Sequence, residues 1–451
     1  MMTAMRIAPS LPLLALLASA APAAALDEVR SPVPTQPTEQ LRAQPAASLA
    51  PDSALRWSGS EDHRLAAERL ITLLRTADFE GYDEGPTIAA QAEALRARAE
   101  AGDAAAARQL SQLLDRAYLD YVTTLQAPVA GIEYGDPYQK PARFSRADHV
   151  TLLTQSPSLF ALVRQQTGRN IVYEQLRAAA IAHGRALPEQ SRTALKATLA
   201  RTRALPRRDR FVLVDVATQR LWMYEGGRPV DSMKVVVGTE EPHKRTPLIV
   251  STIHYATHNP YWHVPDTIVR ATVGPKIRRE GQAYLDRQGY EIVDRWANDA
   301  RVLKPSEVDW STALQPGNLK VRQLPGRYNS MGDFKFNFPN ATGIYLHDTP
   351  MRDYFDKEVR TLSNGCIRLE DARRFAAWLY RGQGVPDLPG TETHDQLPAG
   401  VPVFVTYLTA EAIEGPLTIA HDVYGLDGTP QLTEQVAAAT RQALADEAAT
   451  F

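Results

Sequence analysis

FVLVDVATQRLWMYEGGRPVDSMKVVV, residues 211–237, is where the chain changes its period. Upstream, over 61–203, apolar residues recur at helical spacing: Leu65, Leu70, Leu73 and Leu74 form one stripe, and Leu95, Leu110, Leu114 and Tyr118 continue it. From Phe211 the period drops to two and the composition turns to valine, tyrosine and tryptophan. Gly226-Gly227 sits where a hairpin turn needs residues tolerant of positive φ. The stretch predicts an antiparallel meander of strands at 211–216, 219–224 and 233–237. Further strands are expected at 249–255, 320–323, 343–347 and 402–407. The connection over 259–340 is about eighty residues long, with helical pieces of its own near 265–270 and 282–288, and an insertion of that size between strands of one sheet is usually a lid or binding loop. The fold class is therefore α+β: an N-terminal all-helical scaffold domain (59–205), then a mostly antiparallel β domain (206–410) with an inserted capping subdomain (about 260–340), and a C-terminal extension (411–451) in which 433–449 reads as one more amphipathic helix.

The N-terminus reads as an export signal. Residues 1–6 carry one basic group, an apolar run of about ten residues follows, and Ala21-Pro22-Ala23 and Ala23-Ala24-Ala25 fit a small-x-small cleavage site. Residues 1–25 are expected to be a signal peptide, with the mature chain in the periplasm. The apolar run is short of the ~20 residues of a membrane-spanning helix, so no transmembrane anchor is expected. Residues 26–58, rich in Pro, Ala, Ser and Gln, suit a disordered linker. Fifty Lys and Arg against 52 Asp and Glu leave a net charge of −2, which gives no basic stripe for nucleic acid.

An exported chain usually carries cysteines in pairs; this one has a single cysteine, Cys366, in the run Ser363-Asn364-Gly365-Cys366-Ile367-Arg368. A thiol nucleophile needs a base, an orienter for that base and donors for an oxyanion. His347, nineteen positions earlier at a strand end, is the candidate base, with Tyr345 two residues before it on the same strand face. The Gly365 and Cys366 N–H groups are candidate oxyanion donors and Arg368 is a fixed charge beside them. A helix is expected to start after Leu369, with Glu370 and Asp371 favouring its N-terminus, which would place Cys366 in a turn leading toward a positive helix end. Competing readings remain at this level. A lone cysteine is often a buried filler, Arg368 could pair with Glu370 or Asp371, Trp262 could be cap core, and His254, His258 and His263 lack the acidic or cysteine companions of a zinc site.

At these residues the sequence resembles the L,D-transpeptidase family, through His347-Asp348-Thr349 followed by Ser363-Asn364-Gly365-Cys366-Ile367-Arg368. The blocks 259–265, 336–340 and 345–350 resemble its larger Gram-negative members with a helical scaffold and a capping insertion. The resemblance covers roughly residues 60–410. It implies an enzyme that attacks the diaminopimelate–D-Ala bond of a peptidoglycan tetrapeptide stem, holds the stem as a thioester and passes it to an amine of a second stem, giving a 3-3 cross-link. It implies Cys366 as nucleophile, His347 as base, the Asp348 carbonyl as orienter, Gly365, Cys366 and Tyr345 as oxyanion donors, Ser363 and Arg368 as groups that shape the site and hold substrate, and Trp262 as a cleft wall. It also implies acylation by carbapenems, with no metal or organic cofactor. Two departures stand out. Asn364 occupies a position commonly filled by histidine, and the glycine-rich signature of a separate wall-binding module is missing. A hydrolase using the same thioester (an L,D-carboxypeptidase or amidase) and a non-catalytic wall-associated scaffold are the alternative readings.

Overall fold

The computed structural model describes residues 56–428 apart from 298 and 387–389. The expected signal peptide, most of the expected linker and the expected helix at 433–449 lie outside the described residues. The described residues begin inside the expected linker: Trp57 is buried and its indole N–H donates to Asp115 Oδ1 at 2.8 Å, while Arg56 Nη1 donates to the Leu153 carbonyl.

Seven helices build the scaffold: α1 (Glu61–Leu74), α2 (Gly85–Glu100), α3 (Ala104–Leu125), α4 (Arg146–Gln155), α5 (Leu159–Thr167), α6 (Ile171–His183) and α7 (Glu189–Arg203). Their starts follow local chemistry. Ser60, Asp103, Ser158 and Asn170 each cap an N-terminus through the side chain, and Ser145 with Asp148 forms a reciprocal capping box on α4. Leu70, Leu73 and Leu74 face the core as expected, but Leu65 is exposed, one position off the buried stripe. In the centre, buried Glu80 accepts hydrogen bonds from Tyr121 (2.5 Å), Tyr173 and Arg177 Nε (2.8 Å). The segment is not wholly helical. A three-residue strand, β1 (Ile132–Tyr134), leaves it to pair in parallel with the β domain, too short to show any alternation in sequence.

The β domain begins with the expected meander, β2 (Phe211–Asp215), β3 (Arg220–Glu225) and β4 (Arg228–Gly238), paired antiparallel. It continues with β5 (Leu248–His258), leaves for the cap, and returns as β10 (Phe334–Asn337), β11 (Leu346–His347), β12 (Thr361–Ser363), β13 (Ile367–Leu369) and β14 (Thr393–Thr406). The order is β5-β10-β11-β13-β4-β3-β2-β14, and β14 pairs with β5 again, so the sheet closes on itself. The β11–β13, β2–β14 and β4–β12 pairs are parallel, so the sheet is mixed rather than purely antiparallel.

Two apolar clusters hold this sheet. Phe334, Phe336, Leu346, Ile367 and Leu369 pack with Phe375, Ala376 and Leu379 of helix α11 (Ala372–Leu379) and with Val235, Val237, Ile253 and Val405. Phe211, Leu213, Trp222, Tyr224, Val250 and Phe404 join the scaffold helices in a second cluster. Scaffold and β domain therefore share a core.

The cap lies between β5 and β10. It contains β6 (Trp262–His263), α8 (Asp266–Ile268), α9 (Gly274–Glu280), α10 (Gln282–Gln288), β7 (Tyr290–Val293), β8 (Val302–Leu303) and β9 (Lys320–Gln323), with sheet order β6-β9-β7-β8. Val264, Val273, Ile277, Leu285, Ile292 and Val321 give it a core of its own. The expected insertion runs too far, because 334–337 is a strand of the main sheet. Both cap stalks are tied at Asn329, whose buried side-chain amide donates to the Pro260 carbonyl at 2.8 Å.

Candidate active site

Strand register brings the chemistry to one face. Lys335 on β10 stands opposite His347 on β11, and His347 stands opposite Arg368 on β13. Residues two apart on a strand share a face and paired neighbours point the same way, so Tyr345 and Cys366 join Lys335, His347 and Arg368 on that face. Their alternating neighbours Phe334, Phe336, Leu346, Ile367 and Leu369 fill the apolar cluster behind. A one-residue slip of any of these strands would exchange core and site. The Tyr345 and His347 rings lie 5.8 Å apart edge to face, and Lys335 Nζ sits 4.1 Å above the Tyr345 ring.

His347 is buried, and its Nδ1 lies 2.5 Å from the Asp348 carbonyl oxygen. A carbonyl only accepts, so Nδ1 carries the proton and Nε2 keeps its lone pair. Burial pushes the imidazole down to about 3, with the Arg368 and Lys335 charges acting the same way. The ring is a neutral base at neutral pH. Asp348 itself is buried; its carboxylate is spent on Arg352 (2.7 Å) and the Asp333 N–H (3.0 Å), and its own N–H donates to the Phe334 carbonyl. It orients the base and its side chain does not face the site.

The Cys366 thiol is half-buried. Burial pushes its pKa up, against the Tyr345 backbone N–H and hydroxyl, which donate to the sulfur, and against the Lys335 and Arg368 charges. The expected helix-end effect is absent. Strand β13 stands between Cys366 and α11, roughly 10 Å of extended chain at ~3.3 Å per residue, and α11 packs on the opposite face. Asp371 does cap that helix as expected, accepting from Arg374 N–H at 2.9 Å.

The turn before the thiol is fixed by Ser363. Its buried hydroxyl donates to the Cys366 carbonyl at 2.6 Å and accepts from the Gly365 N–H at 3.1 Å. The Gly365 N–H is therefore occupied, which removes it from the expected oxyanion pair and leaves the Cys366 N–H, without a hydrogen-bond partner among the described residues. Ser363 shapes the turn through these two bonds. Gly365 has φ +115°, a conformation side chains rarely adopt, and buried Thr246 donates to its carbonyl at 2.7 Å. Asn364 is exposed on the turn.

Arg368 takes no part in an ion pair among the described residues. Glu370 accepts from the Lys234 N–H and Asp371 from Arg374, while Arg368 Nη1 reaches Met351 Sδ at 3.5 Å and the guanidinium lies 5.3 Å from the Tyr354 ring centre. Its Nε is buried without a partner. Trp262 is partly buried and packs against the cap core beside Tyr290, 6.4 Å between rings. The three neighbouring histidines diverge: His254 lies beside Gly400, His258 bonds the Tyr380 hydroxyl at 3.1 Å, and His263 meets Trp296 at 4.9 Å. Among the described residues no group of three or more His, Cys, Asp or Glu could hold a metal ion, and no helix is long and apolar enough to cross a membrane.

Sequence reasoning missed Lys335 and Thr246. Lys335 was legible, because a lysine between Phe334 and Phe336 in an alternating strand must face away from the core. Thr246 carries no such signal, since its partner is set by a long-range approach of two loops.

The L,D-transpeptidase catalytic domain, as the YkuD family describes it, matches residues 209–403. A protein of Haemophilus influenzae provisionally named as an L,D-transpeptidase is 30% identical over 241 residues, 52% of this chain and 48% of the relative, so the chain spans about half the length of that curated relative. A solved structure of the Ldtfm–avibactam carbamoyl enzyme aligns at 14% identity over 44% of this chain and 49% of that one, with a TM-score of 0.22, too loose to bear on the fold. The motif, the domain match and the one-faced site thus fall in the same segment: residues 209–403 match the L,D-transpeptidase catalytic domain of the YkuD family.

Proposed function

We propose that the protein is a periplasmic L,D-transpeptidase that forms 3-3 cross-links in peptidoglycan, with Cys366 as nucleophile and His347 as base. The observation that carries this reading is the placement, on one face of adjacent strands, of a half-buried thiol and a neutral imidazole whose proton is pinned on Nδ1. Cys366 Sγ attacks the carbonyl between diaminopimelate and D-Ala as its proton passes to His347 Nε2. The Cys366 N–H faces the developing oxyanion. The tetrahedral species then collapses: the C–N bond breaks, His347 returns its proton to the departing D-Ala amine, and the stem remains as a thioester. An amine of a second stem attacks the thioester carbon, gives its proton to His347, and the sulfur leaves as the thiol. The Arg368 guanidinium, free of carboxylates, supports a role in holding a substrate carboxylate. Asn364 in place of histidine leaves the turn uncharged, so acceptor handling rests on Lys335, Tyr345 and Arg368.

Incubation with disaccharide-tetrapeptide tests the reading. Cross-linked dimer with released D-Ala is expected; tripeptide alone would mean water is the acceptor and the enzyme a carboxypeptidase. Cys366→Ala should abolish both products with the fold intact, and His347→Ala should leave slow acylation that recovers at raised pH. By the same chemistry a carbapenem should add once, at Cys366. Full turnover in Cys366→Ala would end the assignment.

A further inference from the structure

A second chemical site lies where the scaffold meets the β domain. The loop 126–144, the α5–α6 junction at 165–170 and the connection 203–208 enclose a cavity of about 610 Å³, within the size range of small-molecule sites. Six cationic side chains line it, Lys140, Arg143, Arg169, Arg203, Arg207 and Arg208, and no Asp or Glu does. None of the six forms an ion pair among the described residues, whereas the buried or partly buried Arg56, Arg177, Arg201 and Arg322 each do. Several are turned onto carbonyl oxygens instead: Arg169 Nη1 donates to the Gln166 and Gly168 carbonyls, Arg203 Nη1 to that of Glu80, and Arg207 Nη2 to that of Gln165. Arg169 Nη2 and Arg203 Nε are buried with no partner at all.

Lys140, Arg143, Arg207 and Arg208 are exposed, while Arg169 and Arg203 are partly buried, and holding the guanidinium groups of those two away from water with no carboxylate in contact is costly unless something offsets it. These two register that cost: burial pushes Arg169 down to about 10 and lowers Arg203 as well, the latter against the more distant Glu80 charge. Forked guanidinium donors match the planar or tetrahedral oxygens of carboxylate and phosphate. We infer that this cavity binds a small multivalent oxyanion, a ligand bearing two or more carboxylate or phosphate groups, separate from the Cys366 site. No lining residue belongs to the Lys335, Tyr345, His347, Cys366 and Arg368 cluster. The cavity floor connects directly to the catalytic sheet: Tyr134 of β1 lines it, and Gln139 Nε2 donates to Thr252 Oγ1 on β5 at 2.9 Å. A bound anion would bridge the two domains.

Isothermal titration of the whole protein with inorganic pyrophosphate and, separately, with tricarballylate at low salt tests this, since screening weakens such contacts as salt rises. Saturable binding of about one anion per chain is expected; preference for pyrophosphate identifies phosphate as the natural group and preference for tricarballylate identifies carboxylate. The Lys140→Glu/Arg143→Glu variant changes two exposed residues outside any ion pair among the described residues. It should bind at least about tenfold more weakly, while its unliganded melting temperature and Cys366 alkylation rate stay those of the parent. Protein alkylated at Cys366 should bind as well as free protein. The proposal is overturned if neither anion saturates, if the double variant binds like the parent, or if alkylation of Cys366 abolishes binding.

Discussion

Removing one hydroxyl at Ser363 should disable the thiol without touching it. Ser363 is 3% exposed and its oxygen makes two hydrogen bonds, donating to the Cys366 carbonyl at 2.6 Å and accepting from the Gly365 N–H at 3.1 Å. In Ser363→Ala both backbone groups lose that partner. A buried polar group left unpaired costs about 1–3 kcal/mol, so the pair gives about 2–6 kcal/mol before relaxation. Asn364 beside them is exposed, so water can reach the turn and the lower end applies, about 2 kcal/mol. For a unit of this size that lowers the melting temperature by about 4–8 °C. The turn also sets the Cys366 N–H and sulfur, and a misplacement of about 1 Å costs roughly a hundredfold in rate. The assay is single-turnover acylation by a carbapenem, read by intact mass, beside alkylation by iodoacetamide. Because Ser363 acts on the turn and not on substrate, both rates should fall, and Ser363→Thr, which keeps the hydroxyl, should recover part of each. Unchanged iodoacetamide alkylation with slowed carbapenem acylation would refute this and make Ser363 a substrate contact.

Alkylation of Cys366 should rise steadily with pH through and above the ordinary thiol range, without a plateau at mildly acidic pH, because the free site holds a thiol beside a neutral imidazole rather than an ion pair. In Lys335→Met the profile should move to still higher pH and alkylation at pH 7 should slow roughly several-fold, since that charge favours the thiolate; an unmoved profile would remove Lys335 from the site. His347 binds its proton only near pH 3 when folded but near 6.5 when unfolded, so the unfolded chain takes up more protons between those values and stability falls as pH drops through that window. Melting curves from pH 7 to 4 should show a smaller acid loss in His347→Gln than in the parent. Gly365→Ala should cost about 1–3 kcal/mol in strain at φ +115°, with its new methyl 3.1 Å from Ile344 Cδ1, and abolish acylation. Glu80→Ala, which strips a buried arginine and two tyrosine hydroxyls of their acceptor, should cost about 3–5 kcal/mol and be seen as a lowered melting temperature of the protein.

The parts of this molecule that were legible in sequence are those with local physics. The change of period at Phe211, the Gly226-Gly227 turn and the helical stripe of Leu70, Leu73 and Leu74 each depend on near neighbours, and each is found in the structure. So is the shared face of Tyr345 and His347. What failed depends on distance. The β1 strand exists only because β5 offers it an edge, and Phe334–Asn337 belongs to the main sheet only because β5 and β11 lie on either side. The position of α11 behind the sheet, out of reach of Cys366, follows from the sheet's closure and from nothing adjacent to the thiol.

Closure also holds the surroundings of the half-buried thiol in place. The five polar side chains of the site are carried on three adjacent strands whose opposite face is Phe334, Phe336, Leu346, Ile367 and Leu369, packed on α11 and the far strands. Any rotation of β11 or β13 that moved His347 or Cys366 would have to unpack that cluster, and close-packed cores resist displacement of even a methylene. The base is therefore held from behind by apolar packing and from the side by the Asp348 carbonyl, so its neutral state and ring orientation persist without a carboxylate partner. A carboxylate at that point would raise the imidazole pKa and favour an ion pair with the thiol; a carbonyl leaves the proton on the sulfur until a substrate carbon arrives to take the electron pair. The hydrophobic alternation of two short strands thus supports the proposed general-base activation over a resting thiolate.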